Sequence, residues 1–495
     1  MSTHAARAQH SLLTPHEMSQ ADQLAVRGGM PGTQLMEEAG AAVARAIMAR
    51  RPIGPVTVLC GPGNNGGDGF VVARHLDQAG WPVRLALFGS VETLRGDAAI
   101  HAQAWSGPVD RLTPGVLDHS SLVVDAMFGA GLSRPLEGAV LDTVRSLRES
   151  GLPVCAVDVP SGLDGASGQP CPDAVRADLT VTFFRKKPGH VLMPGRILCG
   201  ELVCAQIGIP DDVLDEVAPA CFENHPDLWR EVYPWPRADG HKYRRGHALV
   251  VGGPDMPGAA RLASLGAARA GAGLVTLAVP PAVWGLQAAA LTSVMVRALP
   301  ETGALAGLLA DERLNALLIG PGMGRSDAVR TQVLELLAAR RATVLDADAL
   351  SSFQTEPEAL FGALHDACVL TPHEGEFTRL FPMLAGSKLD RAREAARRTG
   401  AVCLLKGADT VVAHPDGRAV INSNAPPELA TGGSGDVLAG LILGLLAQGL
   451  QTFDAACAAV YLHGLAAQQV GPGLIAEDLP GAIPAALRVL RKEFF

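Results

Sequence analysis

Residues 61–70 read GPGNNGGDGF. Gly61, Gly63 and Gly66 have the spacing of a turn that brings backbone close to a pyrophosphate, and such a turn asks only for small residues. This one also carries Asn64, Asn65 and Asp68. Two further stretches combine acids with glycines: DAMFGAG (Asp125–Gly131) and VDVPSGLD (Val157–Asp164). Asparagine carbonyls, carboxylates and hydroxyls are hard oxygen ligands suited to a hard cation. Asn65, Asp125 and Ser161 can supply such a set, which leaves Asp158 for proton transfer. FFRKKPGH (Phe183–His190) brings cations to the same group of loops.

A second group lies farther along the chain. GPGMG (Gly320–Gly324) and TPHEGE (Thr371–Glu376) are rich in backbone donors, and KGADT (Lys406–Thr410) opens on a cation. ATGGSGDVLAG (Ala430–Gly440) leads into a strongly apolar helical run. Glycines at a helix N-terminus expose N–H groups, and the helix dipole favours an anion there. This is a phosphate site without the GxxxxGK[ST] pattern. Asp436, in the first turn of that helix, is stabilised as a carboxylate and stands as a base next to a transferred phosphate.

The elements that must position these loops alternate. Strand-like runs fall at Val56–Cys60, Val83–Phe88, Leu122–Asp125, Val154–Asp158, Leu179–Phe184 and Glu201–Ile207, with helical stretches between the first four. A helix over 33–50 shows one apolar face in Leu35, Ala39, Val43 and Ile47. Such alternation predicts a parallel sheet covered on both faces, with ligands beyond the carboxyl ends of its strands. A polar stretch containing Pro and Trp places a domain boundary near 215–240. The alternation then restarts at HALVVGG and continues to RAVINS. Two tandem three-layer α/β domains are the expected architecture, and no internal repeat links them.

Bulk properties narrow the function. The 495 residues are 48% hydrophobic and 18% charged, with a net charge of −9 and a pI near 5.9. The acidic balance, the absence of a basic run and the low aromatic content argue against nucleic acid as a partner. Nine scattered cysteines without a CxxC support neither structural zinc nor a disulfide framework, so reduced thiols and a cytoplasmic setting are expected. No secretory pattern opens the chain, and the most apolar stretch, Val437–Leu450, is too short for a bilayer, so no membrane association is expected. An NAD-dependent dehydrogenase would want an acid at the end of the second strand, which instead reads LALFGS.

Together GPGNNGGDG, DAMFGAG and VDVPSGLD resemble the NAD(P)H-hydrate epimerase domain, over residues 12–215. The resemblance implies a Rossmann-like fold. It implies that Asn64, Asn65, Gly66, Gly67 and Asp68, with Gly129, Ala130, Gly131, Leu132, Ser133, Arg134 and Pro135, bind a hydrated dinucleotide. Asp158 would face the reacting ring, and Asn65, Asp125 and Ser161 would bind potassium. GGSGD resembles the anion-hole motif of ribokinase-like proteins, and with GPGMG, TPHEGE and KGADT it is similar to ADP-dependent NAD(P)H-hydrate dehydratase over residues 225–495. That implies a nucleotide site at Lys406, Gly407, Ala408, Asp409, Thr410 and Gly435. It implies hydrate contacts from Gly324, His373, Asp436 and an alanine of PGAA, Ala259 or Ala260. Ser434 stands where threonine is usual, Tyr243 where glycine is common and Pro254 where serine is common.

The implied activity joins an isomerase to a lyase. The first domain interconverts the R and S hydrates of NADH and NADPH with Asp158 as acid/base. The second dehydrates the S hydrate with Asp436, magnesium and ADP, giving AMP and phosphate. A homo-oligomer is expected. Each residue alone has a plainer reading: Asp68 as a helix cap, Asp125 as a structural acid, Lys186 and Lys187 as a solvated loop, His373 as a capping histidine, Asp346 and Asp348 as a strand-end turn. The joint pattern favours the sites. The rivals are a ribokinase-type small-molecule kinase, which would release a stable phosphorylated product, and a binding module in place of the first enzyme.

Overall fold

The computed structural model describes residues 3–131, 135–300 and 303–494. The chain separates into two compact units, one made of Arg7–Phe222 and the other built mainly from Glu223–Phe495.

Seven strands form the first sheet: β1 (Val56–Cys60), β2 (Val83–Leu87), β3 (Val109–Arg111), β4 (Leu122–Ala126), β5 (Val154–Val157), β6 (Leu179–Phe183) and β7 (Glu201–Ala205). Their order is β3-β2-β1-β4-β5-β6-β7, and all pairs are parallel. The short edge strand β3 is an addition to the sequence-based reading; three residues between a proline and a 3₁₀ turn leave no period to detect. Side chains of β1 alternate between two cores. Val56, Val58 and Cys60 join the core beneath the helices Gly32–Met48 and Asn64–Gln78, while Leu59 joins the one beneath Gly138–Ser150. Both faces are therefore covered, as the apolar strands require. Gly40 lets the first two helices close, since a Cβ there would lie 2.5 Å from the Val71 Cβ.

The second sheet has ten strands. β8 (Cys221–Glu223) is the short strand at the junction, followed by β9 (His247–Val251), β10 (Leu274–Val279), β11 (Met295–Ala298) and β12 (Leu314–Ile319). Then come β13 (Ala342–Leu345), β14 (Cys368–Leu370), β15 (Val402–Leu405), β16 (Val411–Ala413) and β17 (Ala419–Ile421). The order is β11-β10-β9-β12-β13-β14-β15-β16-β17-β8. Pairing is parallel from β11 to β15 and antiparallel across β15-β16-β17. The helices Pro257–Ala270 and Ser434–Ala447 meet through glycine: a Cβ on Gly440 would stand 2.1 Å from the Ala263 carbonyl oxygen, and one on Gly444 2.4 Å from that of Ala267. That close fit fixes the start of the helix that carries Asp436.

In both sheets the order reverses at one place, between β1 and β4 and between β9 and β12. Such switch points open a crevice beyond the strand ends. Among the described residues, no helix is long and apolar enough to cross a membrane.

Candidate active sites

A cavity of about 1060 Å³ lies at the β1/β4 switch point. It is lined by Asn64, Asn65 and Asp68 after β1, Gly129, Ala130 and Gly131 after β4, Asp158 after β5 and Lys187 after β6. These are loops the sequence placed together. Gly66 and Gly67 lie behind the wall. A Cβ on Gly66 would strike the Gly61 carbonyl, and one on Gly67 would strike the Met36 thioether, so both serve the turn and the helix packing. Pro135 is exposed away from the lining residues. Leu132, Ser133 and Arg134 lie outside the described residues.

Asp158 sits just past β5 at φ +66°, in the left-handed region that a non-glycine residue enters only when held there. Its N–H donates to the Val181 carbonyl at 2.8 Å. His190 Nδ1 accepts the Lys187 N–H at 2.9 Å, which leaves Nε2 as the donor to the Asp158 carbonyl at 2.9 Å. The side chain is held as firmly. Oδ1 accepts from Lys187 Nζ and from Thr182 Oγ1 at 2.9 Å, and Nζ also donates to Thr182 Oγ1 at 2.9 Å. Oδ2 takes only the Ala130 N–H at 3.3 Å and faces the cavity. Burial pushes the Asp158 pKa up, but the Lys187 charge, with His190 and the hydrogen bonds of Lys187 and Thr182, brings it net below the ordinary carboxylate value. Burial first, then the Lys187 charge, lowers His190 to about 4, so the imidazole is neutral.

Lys187 is 2% exposed. Of the two adjacent lysines the sequence left undecided, it is therefore the one built into the site. Asp22 is a second residue that sequence reasoning missed. It lies four residues after Met18 in the helix Pro15–Arg27, whose buried residues include Met18, Ala21 and Ala25, and an acid on an apolar face is the signal that could have found it. Burial, opposed by Lys187 and reinforced by Asp158, raises Asp22 to about 6. Asp68 is raised well above its ordinary value by burial and by the charges of Asp158 and Asp22.

Beside the cavity, Asp125 at the end of β4 is fully buried. Its Oδ1 accepts from Ser161 Oγ at 2.6 Å and its Oδ2 from the Ser161 N–H at 2.7 Å. Ser161 Oγ in turn accepts the Phe128 N–H at 2.9 Å. Burial raises Asp125 to about 6 against these hydrogen bonds, and no cationic side chain contributes. Asn65 Oδ1 would lie 3.3 Å from a Cβ on Gly129, next in sequence to Phe128, and its buried Nδ2 has no hydrogen-bond partner. A buried carboxylate with no cationic side chain among its influences, a hydroxyl and an amide carbonyl make a donor set that fits a hard monovalent cation.

The second site gathers at the ends of β12, β13, β14 and β15. Asp436 is the third residue of the helix Ser434–Ala447, after Gly433 at φ +90°. A Cβ on Gly435 would lie 3.4 Å from Lys406 Nζ, which places that ammonium at the helix start. Lys406 Nζ donates to Asp346 Oδ1 at 2.8 Å, and Thr371 Oγ1 donates to the same oxygen at 2.8 Å. Asp348 Oδ2 accepts the Gly324 N–H at 2.8 Å. Burial, then Asp346, raises Asp436 to about 7, with Lys406 opposing and Asp348 and Glu376 adding. Lys406 is raised, the charges of Asp346 and Glu376 overcoming its burial. Asp346 and Asp348 are thus part of the site that sequence reasoning set aside. Ala347 between them, at φ +47°, marks a turn held under strain.

Other expected residues take supporting places. His373 caps the helix Glu374–Leu380, its Nδ1 accepting the Gly375 N–H at 3.0 Å and the Glu376 N–H at 3.3 Å. Asp409 Oδ1 accepts from Lys388 Nζ at 2.6 Å, and Thr410 Oγ1 closes the turn onto the Gly407 carbonyl at 2.8 Å. Ser434 Oγ donates to the carbonyl of Leu429 at 2.9 Å or of Thr431 at 3.0 Å, tying down the glycine turn. Ala259 and Ala260 are both buried in the first turn of the helix Pro257–Ala270. Gly324, at φ +72°, packs against Asp255, whose Oδ2 would lie 2.2 Å from a Cβ there.

One crevice poises a carboxylate on a lysine. The other sets a carboxylate at a glycine-led helix start against a partly buried ammonium. Two parallel-sheet units with these crevices define a two-site enzyme of nucleotide chemistry. Residues 248–479 match the NAD(P)H-hydrate dehydratase family model, and residues 32–189 match that of the YjeF-related protein N-terminus. The bifunctional NAD(P)H-hydrate repair enzyme of Moorella thermoacetica is 40% identical over 97% of both chains. Its counterpart from Salinibacter ruber is 38% identical over 96% of this chain and 95% of its own. Among solved structures, the ADP/ATP-dependent NAD(P)H-hydrate dehydratase of Bacillus subtilis, co-crystallised with ATP and Mg2+, is 30% identical. It covers 54% of this chain and 98% of its own, with a TM-score of 0.47. The chain belongs to the family of bifunctional NAD(P)H-hydrate repair enzymes, with an epimerase-type first domain and a dehydratase-type second domain.

Proposed function

We propose that this chain repairs hydrated nicotinamide nucleotides. The first unit interconverts the R and S hydrates of NADH and NADPH. The second returns the S hydrate to NAD(P)H at the expense of ADP, releasing AMP and phosphate. The observation that carries the reading is the pairing, in one chain, of Asp158 bound to Lys187 in the first crevice with Asp436 at the glycine turn beside Lys406 in the second.

In the second site, Asp436 accepts the proton of the hydrate hydroxyl as its oxygen attacks the terminal phosphorus of ADP. AMP departs with the electrons of the breaking P–O bond. The ring nitrogen then expels phosphate from its neighbouring carbon, and loss of a proton from the next carbon restores the double bond. A pKa near 7 suits a base working at neutral pH. Helix N–H groups and Lys406 offset the phosphate charge. Magnesium would sit with the nucleotide's phosphates, where the Asp348 carboxylate is a hard oxygen donor that suits it.

Potassium is the cation proposed for Asn65, Asp125 and Ser161, where it would neutralise Asp125 and fix the loop after β1 against the one after β4. The roles of Gly129, Ala130 and Gly131 as a wall for the hydrate, and of Lys406–Thr410 as a nucleotide cradle, belong to the same reading. Nine free cysteines support a reducing, cytoplasmic setting. The homo-oligomeric state rests on the family resemblance and is read by sedimentation. The deciding assay supplies mixed R and S NADH hydrate with ADP and follows nicotinamide absorbance. Full recovery of NADH with AMP and phosphate supports the reading; a stable phosphorylated product would show a kinase instead.

A further inference from the structure

Of the four carboxylates that line the first cavity, three act on one another around a single lysine, which touches only one of them. Asp22, Asp68 and Asp158 all line it. Lys187 is committed to Asp158 and Thr182. Neither Asp22 nor Asp68 makes a side-chain hydrogen bond or ion pair with another described residue. Three like charges cannot share a confined space with one cation, so the carboxyl that gains least from Lys187 keeps its proton. Burial leads for both; on Asp68 the charges of Asp158 and Asp22 then each outweigh that of Lys187, whereas on Asp22 Lys187 outweighs Asp158. Asp68 is therefore the protonated member. The other charged groups at the cavity, Arg27 and Asp97 on its lining and His190 behind Asp158, do not pair with Asp68.

Sheet order separates the two carboxyls. Asp68 follows β1 and Asp158 follows β5, with β4 between them. Asp68 is the fifth residue of the helix that follows β1, Asp158 lies just past β5, and both line the cavity. Paired carboxyls about 6.5–9.5 Å apart leave room for a sugar ring and a water in inverting glycosidases, and a nicotinamide ring is of similar size. Two carboxyls that reach one cavity from non-adjacent strands offer an acid and a base to a single bound ring.

We propose that Asp68 is the general acid and Asp158 the general base of a two-faced exchange, in which hydroxyl leaves one face of the hydrated ring and solvent water adds to the other. This rests on the epimerase reading and deepens it. Asp68 gives its proton to the hydroxyl. The C–O bond breaks with its electron pair on the departing water, and the ring nitrogen's lone pair forms a C=N bond. A second water attacks that carbon from the Asp158 side and passes a proton to Oδ2, while the C=N pair returns to nitrogen. Asp68 ends ionised and Asp158 protonated. This is the arrangement the opposite epimer needs, and solvent exchange resets it.

The test runs the full-length enzyme with R hydrate in ¹⁸O-water without ADP, beside an enzyme-free control. Each enzymatic R-to-S conversion should place one solvent oxygen in the product. Conversion with the original oxygen retained would show ring opening and closure and overturn the exchange. Absence of any enzymatic conversion would instead remove the epimerase reading on which it rests. Asp68→Asn should slow conversion about 10²–10⁴-fold and abolish the fall in rate at high pH that marks loss of the acid's proton. Near-normal turnover of Asp68→Asn, or an unchanged high-pH limb in that variant, would reject Asp68 as the acid. If Asp68→Asn fails to fold, the isotope result on the unmodified enzyme still decides the exchange, and Asp68→Glu, which restores an acid, should restore the high-pH limb; its absence there would reject Asp68.

Discussion

Lys406 Nζ lies 2.8 Å from Asp346 Oδ1 and 3.9 Å from Glu376 Oε2, so one ammonium serves two buried carboxylates before it reaches Asp436. Asp436 is left with more negative than positive charge around it, and burial first, then that charge, keeps its pKa near 7. Because the base must be ionised, ADP-dependent dehydration should rise with pH through about 7. Asp346→Asn removes the leading charge that opposes ionisation and frees Lys406 toward Asp436. The rising limb of the pH–rate profile should move to lower pH. Breaking a buried pair costs about 3–5 kcal/mol, so epimerisation by the same preparation serves as the internal control for the first unit. An unmoved limb would mean that Asp436 is not the titrating base.

Asp436→Asn keeps the side chain's size at the helix start but cannot accept a proton. Dehydration should fall by about 10²–10⁴-fold, with ADP still bound in calorimetry and epimerisation unchanged. Stability supplies a second readout. The folded-state pKa of Asp436 is raised from 3.8 to about 7. Its contribution is fully present below the unfolded value and is lost as pH rises through the folded one. Asparagine has no such loss. The melting temperature of Asp436→Asn relative to the unmodified protein should therefore climb from about pH 4 to about pH 7 and level off above. Loss of ADP binding would recast Asp436 as a nucleotide anchor.

What the sequence made legible was where glycines and acids cluster after apolar runs. A strand end, a tight turn and a helix start each have a local signature, so Asn64–Asp68, Asp125, Asp158 and Asp436 stood out, and the parallel sheets followed from the alternation. The hidden residues depend on distant packing. Lys187 and Lys186 are neighbours of the same type, and only the course of the chain after β6 buries one of them. Asp346 and Asp348 read equally well as a turn until Lys406 and Gly324 are brought to them from 60 and 24 residues away. Asp22 sits in a separate helix, far from any motif. His373 is a motif residue whose Nδ1 caps its own helix, a role the sequence offered as its plainer reading.

Each unit carries its own crevice, so the activities should separate. Asp158→Ala should stop enzymatic consumption of the R hydrate while S-hydrate dehydration continues. Lys187→Met should have the same selective effect for a different reason: with the leading opposition to burial gone, Asp158 takes up a proton. The two variants differ in pH response. Raising the pH should recover part of the Lys187→Met activity as Asp158 ionises, and none of the Asp158→Ala activity. Chiral analysis of residual hydrate during turnover reads both. Loss of S-hydrate dehydration in a folded Asp158→Ala protein would contradict two independent sites.

Asp125 is fully buried with Ser161 as its side-chain partner and no cationic side chain among its influences. A carboxylate left so is costly unless a cation joins it. An ion that binds only the folded state raises the melting temperature in proportion to its occupancy. The first unit should therefore melt higher in potassium chloride than in lithium chloride at equal ionic strength, because lithium is too small to span Asn65, Asp125 and Ser161. Asp125→Asn keeps the shape and the hydrogen bond from Ser161 but removes the charge. In that variant the difference between the two salts should vanish, and the hydrate should bind more weakly as the loop after β1 loosens against Gly129. Differential scanning fluorimetry across a potassium titration, followed by hydrate binding on the same samples, measures both effects. Equal melting of the unmodified protein in the two salts, or an undiminished potassium response in Asp125→Asn, would remove the cation from this site.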